Sequence, residues 1–293
     1  MQEPDPLDKI LRSRKATLVP GVFDALSARI AVRARAEVIY MTGFGVAGAG
    51  FGLPDIGLVS SSQMIERVGV IAEAAAPVPL IADGDNGHGG PLNAAQLTRA
   101  YERAGAACIQ LEDQVFPKRC GHMEDKAVVA REEAVQKIRA ASDARSSKSF
   151  KIMARTDSRA THGLDEALRR CELFLKAGAD ILFVEAPYSE EELRRVATAF
   201  KGVPLVANIV EDGKTPMLSA GELGDLGYRI LLYPISALLA VTRRLEEVYD
   251  LLLKGQRNDL DSSRTSFGHY NEIMNLPEML AVTKALSQSN DEE

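Results

Sequence analysis

Two hydrophobic periods alternate along the chain. Short apolar runs at 17–22, 38–42, 79–83, 107–112, 151–155, 181–185, 204–208 and 229–233 read as strands. The stretches between them, at 24–35, 61–75, 92–104, 131–145, 164–177, 189–200, 219–226 and 236–254, repeat apolar residues at helical spacing. Eight strand–helix alternations predict an α/β fold, most simply a closed parallel (β/α)8 barrel of the TIM type, with a doubly wound open sheet as the alternative. Ala104-Gly105-Ala106 and Ala177-Gly178-Ala179 mark helix ends where a left-handed residue closes the last turn.

Every apolar run gives way to polar residues at its C-terminal end: Asp24, Thr42, Asp83 with Asp85, Glu112 with Asp113, Arg155 with Asp157, Glu185, Asn208, and finally Tyr233 and Ser236. In a barrel these positions gather at the C-terminal mouth, where active sites are built. Asp24 also reads as a helix cap.

Size and composition narrow the class. The chain has 293 residues, 46% of them hydrophobic, which suits one barrel domain over 1–255 and a short helical tail over 256–293 containing Phe267, Ile273, Met274, Leu276 and Leu280. No apolar run approaches membrane-spanning length, and a formal charge of -6 with no extended basic face argues against nucleic acid. Residues 1–17 lack the apolar core of a secretory signal, so a cytoplasmic protein is expected. Cys108, Cys120 and Cys171 have no metal-ligand spacing; Cys108 and Cys171 read as packing residues.

Asp83-Gly84-Asp85-Asn86-Gly87-His88-Gly89-Gly90 places two acids at alternate positions of a strand end, and Glu112 ends the next strand. Like charges this close raise one another's pKa, and a divalent cation is the usual remedy. All-oxygen donors favour Mg2+ or Mn2+ over zinc. The alternative is a structural network in which the acids pair with Arg155 or neighbouring lysines. His88 is a candidate to support the acids from behind.

The segment Gln114-Val115-Phe116-Pro117-Lys118-Arg119-Cys120-Gly121-His122 is long for a βα connection, and such segments over a barrel mouth often act as lids. Lys118, Arg119 and His122 beside Cys120 favour its thiolate, giving a thiol able to exchange protons near neutral pH; the alternative is a buried small hydrophobe. His162 and His269 read as surface residues. Gly43-Phe44-Gly45-Val46-Ala47-Gly48 fits the dinucleotide pattern, but Ala49-Gly50-Phe51-Gly52-Leu53-Pro54 is poor helix material, so a loop whose amides hold a carboxylate or oxyanion fits better.

Taken in order, Asp83-x-Asp85-x-Gly87-x-Gly89, Glu112-Asp113-Gln114, Lys118-Arg119-Cys120-Gly121-His122, Ala154-Arg155-Thr156-Asp157 and Glu185-Ala186 resemble the isocitrate lyase and phosphoenolpyruvate mutase superfamily over about residues 15–255. The Lys-Arg-Cys-Gly-His block is typical of its lyase branch. The resemblance implies a Mg2+-dependent carbon–carbon lyase acting on a 2-hydroxy carboxylic acid. Asp83 would contact the metal, and Asp85, Asp55 and Glu112 would hold its waters. Thr42, Gly43, Phe44 and Arg155 would bind the 2-oxo acid half of the substrate; Glu185, Asn208, Gly121 and His122 would surround the other half, with Cys120 as general acid. It further implies a homotetramer whose eighth helices are exchanged between subunits. Leu239 stands where 2-methylisocitrate lyases place an arginine, and Met123 likewise. An alkylmalate such as 2,3-dimethylmalate is therefore expected ahead of 2-methylisocitrate, with oxaloacetate hydrolase or decarboxylase and phosphoenolpyruvate mutase as further alternatives.

Overall fold

A parallel sheet buried on both faces needs apolar residues pointing both ways, and the eight runs supply them. In the computed structural model, which describes residues 5–118, 126–211, 213, 215–216, 218–256 and 264–289, they form β1 (Thr17–Val22), β2 (Ile39–Met41), β3 (Leu80–Asp83), β4 (Cys108–Glu112), β5 (Lys151–Thr156), β6 (Ile181–Val184), β7 (Leu205–Asn208) and β8 (Tyr228–Tyr233). Each pairs in parallel with its neighbours, and β8 closes on β1 through Thr17–Pro20 opposite Ile230–Tyr233. This is a closed (β/α)8 barrel, as the alternation predicts.

The helices are α1 (Pro6–Arg12), α2 (Ala25–Arg33), α3 (Gly43–Gly45, continued as a π turn over Val46–Gly50), α4 (Ser61–Ala75), α5 (Pro91–Arg103), α6 (Arg131–Ala144), α7 (Ser158–His162), α8 (Leu164–Lys176), α9 (Glu190–Ala199), α10 (Ala220–Leu226), α11 (Ser236–Leu253), α12 (Phe267–Ile273) and α13 (Leu276–Ser289). Gly105 and Gly178 end α5 and α8 at φ +96° and +103°, as their position predicts. The chain divides into two compact units, 1–238 and 239–293, so the division falls within α11.

Three segments differ from the sequence-based expectation. The first is α1, capped by the Asp5 carboxylate on the Leu7 amide, whose Leu7, Ile10 and Leu11 pack with Val19, Val38, Ile81 and Ile230 inside the barrel. The second is α7. The third is Gly43–Gly50, which is helical rather than a loop. Its helix opens at the first glycine of the motif, under the Thr42 cap, and ends near the last, opposite to what pyrophosphate binding requires.

Strand alternation sorts the side chains into two cores. Ile39, Met41, Leu80, Ala82, Ile109, Leu111, Ile152, Ala154, Leu182 and Val184 face the helices, while Tyr40, Ile81, Cys108, Met153, Ile181, Phe183, Val206 and Leu232 fill the barrel. The inward series continues upward from Ile81 to Asp83, from Cys108 through Gln110 to Glu112, from Met153 to Arg155, from Phe183 to Glu185 and from Val206 to Asn208. The apolar interior thus gives way to a charged floor one residue pair higher. Cys108 and Cys171 are both buried packing residues.

Candidate active site at the barrel mouth

On that floor lies a cavity of about 50 Å³ lined by the polar Tyr40, Thr42, Asp55, Asp83, Glu112, Lys118, Arg155 and Asn208 and by the apolar Phe44, Phe183, Val210, Leu232, Pro234 and Ile235. Asp83 is fixed by three donors. The Gly43 amide reaches Oδ2 at 3.2 Å, while the Asp85 amide and Gln110 Nε2 reach Oδ1 at 3.0 and 3.1 Å. The Tyr40 hydroxyl in turn donates to Gln110 Oε1 at 3.0 Å, and that of Tyr101 to the Asp83 carbonyl at 2.8 Å. Burial, reinforced by the charge of Asp85, pushes the Asp83 carboxyl up to about 6. A Cβ on Gly43 would lie 2.8 Å from Asp83 Oδ2, so only glycine lets the chain come this close.

Asp85 takes a left-handed turn at φ +49°, which directs its carboxylate to Lys118. The Lys118 ammonium bridges Asp55 and Asp85, 2.7 Å from Asp85 Oδ1. Burial opposes ionisation of Asp85, but this ammonium outweighs it and holds the carboxyl below its ordinary range. His88 Nε2 lies 3.7 Å from Asp85 Oδ2, beyond hydrogen-bond reach, and makes no hydrogen bond among the described residues.

Arg155 is gripped from behind. Its Nε and Nη2 donate to the two oxygens of Asp157 at 2.9 and 3.1 Å, and its guanidinium lies 5.2 Å from the Phe183 ring centre. Glu112 and Glu185 stand 3.5 and 3.6 Å from Nε. Burial raises the Glu112 carboxyl well above its ordinary range despite Arg155, and Glu112 Oε1 is buried without a hydrogen bond. Lys126 Nζ also donates to Asp157, at 2.7 Å. The Asn208 amide donates to both Glu185 oxygens at 3.3 and 3.2 Å. Five buried acids (Asp83, Asp85, Glu112, Asp157 and Glu185) and the half-buried Asp55 therefore face three cations (Lys118, Lys126 and Arg155) among the described residues.

Not every polar strand end belongs to this floor. Asp24 caps α2. Asp113, one residue past the inward-facing Glu112, points outward, accepting from Thr156 Oγ1, the Asp157 amide and Arg170 Nη1. Tyr233 and Ser236 line a separate lateral cleft with Ala16, Leu18 and Ala31. Strand alternation accounts for Asp113 and Tyr233: each comes one residue after an inward position and so faces away. Arg119, Cys120, Gly121 and His122 lie outside the described residues. Gln110, Tyr40, Tyr101 and Lys126 escape sequence reasoning, and Asp157 is read there as a polar strand end and part of the Ala154–Asp157 motif with no role of its own, although a glutamine at an inward position between Cys108 and Glu112 is a readable signal.

A family model described as phosphoenolpyruvate phosphomutase matches residues 7–253. The chain belongs to this family. Within the phosphoenolpyruvate mutase and isocitrate lyase superfamily it is 42% identical to 2,3-dimethylmalate lyase of Eubacterium barkeri over 94% of both chains. It is 38% identical to 2-methylisocitrate lyase of Aeropyrum pernix over 87% of this chain and 81% of that one. A crystal structure of 2,3-dimethylmalate lyase superposes with a TM-score of 0.89 at 35% identity, covering 96% of this chain and 95% of the other. Phosphonopyruvate hydrolase, in complex with oxalate and Mg2+, superposes with a TM-score of 0.84 at 29% identity over 96% and 98% of the two chains. The superfamily therefore includes a member crystallised with Mg2+, and the named lyases above match nearly the whole of this chain.

Proposed function

We propose that the chain is a Mg2+-dependent carbon–carbon lyase that cleaves an alkyl-substituted malate, 2,3-dimethylmalate before others, to pyruvate and a carboxylic acid. The observation that carries this reading is the mixed charged and apolar lining of the cavity. Arg155 and the acid cluster are available to a carboxylate and a cation, while Phe44, Phe183, Val210, Leu232, Pro234 and Ile235 give the same cavity apolar surface for alkyl groups; among its described lining residues the cations are Lys118 and Arg155, both already paired with acids. The substrate preference thus rests on these wall residues rather than on Leu239 alone.

The donor set suits the cation. Mg2+ keeps much of its hydration shell, so Asp83 would be its one direct ligand while Asp55, Asp85 and Glu112 would hold its waters. Glu112 Oε1, buried with nothing to accept from among the described residues, suits a water donor. Bound there, the cation would stabilise negative charge developing on substrate oxygens.

The residues of the chain supply the rest. Arg155, held by Asp157, takes one substrate carboxylate, with Thr42 and the backbone of Gly43 and Phe44 around the 2-hydroxyl end. Loss of the hydroxyl proton makes C2 a carbonyl and breaks the C2–C3 bond, whose electron pair passes into an enediolate of the departing acid. Cys120 protonates that carbon, supported by Lys118, Arg119 and His122, with Gly121, Glu185 and Asn208 around the departing half.

A panel of 2-alkylmalates, 2-methylisocitrate, isocitrate and oxaloacetate, assayed with Mg2+, tests the reading. Pyruvate and propionate should form from 2,3-dimethylmalate faster than pyruvate and succinate from 2-methylisocitrate. The reverse ranking would favour the second reading, 2-methylisocitrate lyase, which the Aeropyrum relative keeps open. Cys120→Ser should fold normally and lose most turnover. Among the described residues no helix is long and apolar enough to cross a membrane. We place the enzyme in the cytoplasm as a homotetramer, with residues 1–255 as catalytic domain and 256–293 as helical extension.

A further inference from the structure

We propose that Lys118 is a resident counter-ion of the acid cluster, which a divalent cation must displace from Asp55 and Asp85 before the cavity can take substrate. The inference rests on the cation reading above and concerns what fills the same acids beforehand. A nearly buried ammonium is costly unless paired, and Lys118 is paired with two acids at once. Of the cations acting on Asp85, Lys118 is the strongest, ahead of His88 and Arg155, and it stands 2.7 Å from Oδ1.

An ammonium has only donors and no lone pair, so it cannot share these oxygens with a hydrated cation, whose waters must donate to the same atoms. The two positive species also repel at this range in a site shielded from water. One must leave. Lys118 also lines the cavity that the substrate must enter. Withdrawal of the Lys118 side chain from Asp55 and Asp85 relieves both conflicts.

The test titrates Mn2+ alone into wild type and Lys118→Met, which keeps the apolar stem and removes the charge, by calorimetry and by electron paramagnetic resonance. The variant should bind Mn2+ about tenfold more tightly, equivalent to ~1.4 kcal/mol. Without metal it should melt below wild type, because Asp55 and Asp85 lose their partner, and Mn2+ should raise its melting temperature by more than it raises that of wild type. In the wild-type protein, acylation of Lys118 by an amine reagent, read by peptide mass spectrometry, should increase when Mn2+ saturates the site. This second measurement decides the matter if the variant does not fold. Equal or weaker Mn2+ binding by a folded variant, or Lys118 labelling indifferent to Mn2+, overturns the inference while leaving the cation reading intact. Absence of Mn2+ binding by wild type overturns both.

Discussion

Asp83 is held by three donors that come from three different segments, and the tightest constraint among them is Gly43. With a Cβ at this position 2.8 Å from Oδ2, Gly43→Ala forces Asp83 off the Gly43 amide. Mn2+ affinity and kcat/KM are expected to fall together by about tenfold, the cost of one lost charge-assisted hydrogen bond, while circular dichroism stays unchanged; calorimetry and steady-state assays check this. Arg155 sets a second constraint. Its planar fork serves Asp157 with Nε and Nη2, and among the described residues Nη1 makes no hydrogen bond. A lysine cannot both satisfy Asp157 and reach a substrate carboxylate, so Arg155→Lys should lower kcat/KM by about 10²-fold or more with KM rising. An unchanged KM would remove Arg155 from substrate binding. These residues were legible because strand-end acids and an arginine stand out against apolar runs. The Lys118 bridge was not, because its partners lie far off in sequence at Asp55 and Asp85, and only the closed barrel brings them together.

Elements were legible wherever a period was sustained over several turns or a strand was buried on both faces. The missed ones are short. α1 carries the helical triplet Leu7, Ile10 and Leu11 behind an Asp5-Pro6 start, a signal overlooked among mixed charges. α3 is glycine-rich and would not be helical by propensity. The Thr42 cap, through Oγ1 accepting from the Gly45 amide at 3.2 Å, and the burial of Val46 and Ala47 hold it, so tertiary context decides its state. The contact between α6 and α8 yields a pH-dependent prediction. Glu166 on α8 accepts from Arg131 at 3.0 and 2.5 Å and from Arg170 at 2.9 Å, and Arg170 reaches on to Asp113 and the Val129 carbonyl behind the site. The hydrogen bonds from Arg131 are the main cause that pushes the Glu166 carboxyl down to about 2. A carboxyl depressed in the folded state stabilises above its ordinary pKa, and that stabilisation drains away as pH falls toward the folded value. Glu166→Gln should therefore melt below wild type at neutral pH, and the gap should narrow as pH falls below about 5. A gap that widens on acidification would contradict the ion-pair account.

At the scale of the molecule, the barrel and the second unit each present apolar surface to solvent. In the unit 239–293, Val241, Leu245, Tyr249 and Leu252 succeed one another at three- and four-residue spacing along α11, and all four are exposed. Such a stripe on a helix is what a partner covers. In the barrel unit, a lateral cleft of about 630 Å³ is lined by Ala16, Leu18, Pro20, Ala31, Ala34 and Tyr233. Its walls are mainly apolar, although Thr17, Arg35, Glu37 and Ser236 line it too. If α11 of a second copy enters this cleft in the proposed tetramer, burying two of its large residues contributes about 1.5–3 kcal/mol each. Replacing them with carboxylates would also leave charges in an apolar groove. The double variant L245E/Y249E is accordingly expected to shift the mass measured by light scattering from tetramer to smaller species, and to lower the melting temperature at micromolar concentration. Because association is a mass-action effect, the wild-type melting temperature should rise with protein concentration and that of the variant should not. A variant that keeps the wild-type mass would show that the α11 stripe takes no part in assembly, whatever the oligomeric state.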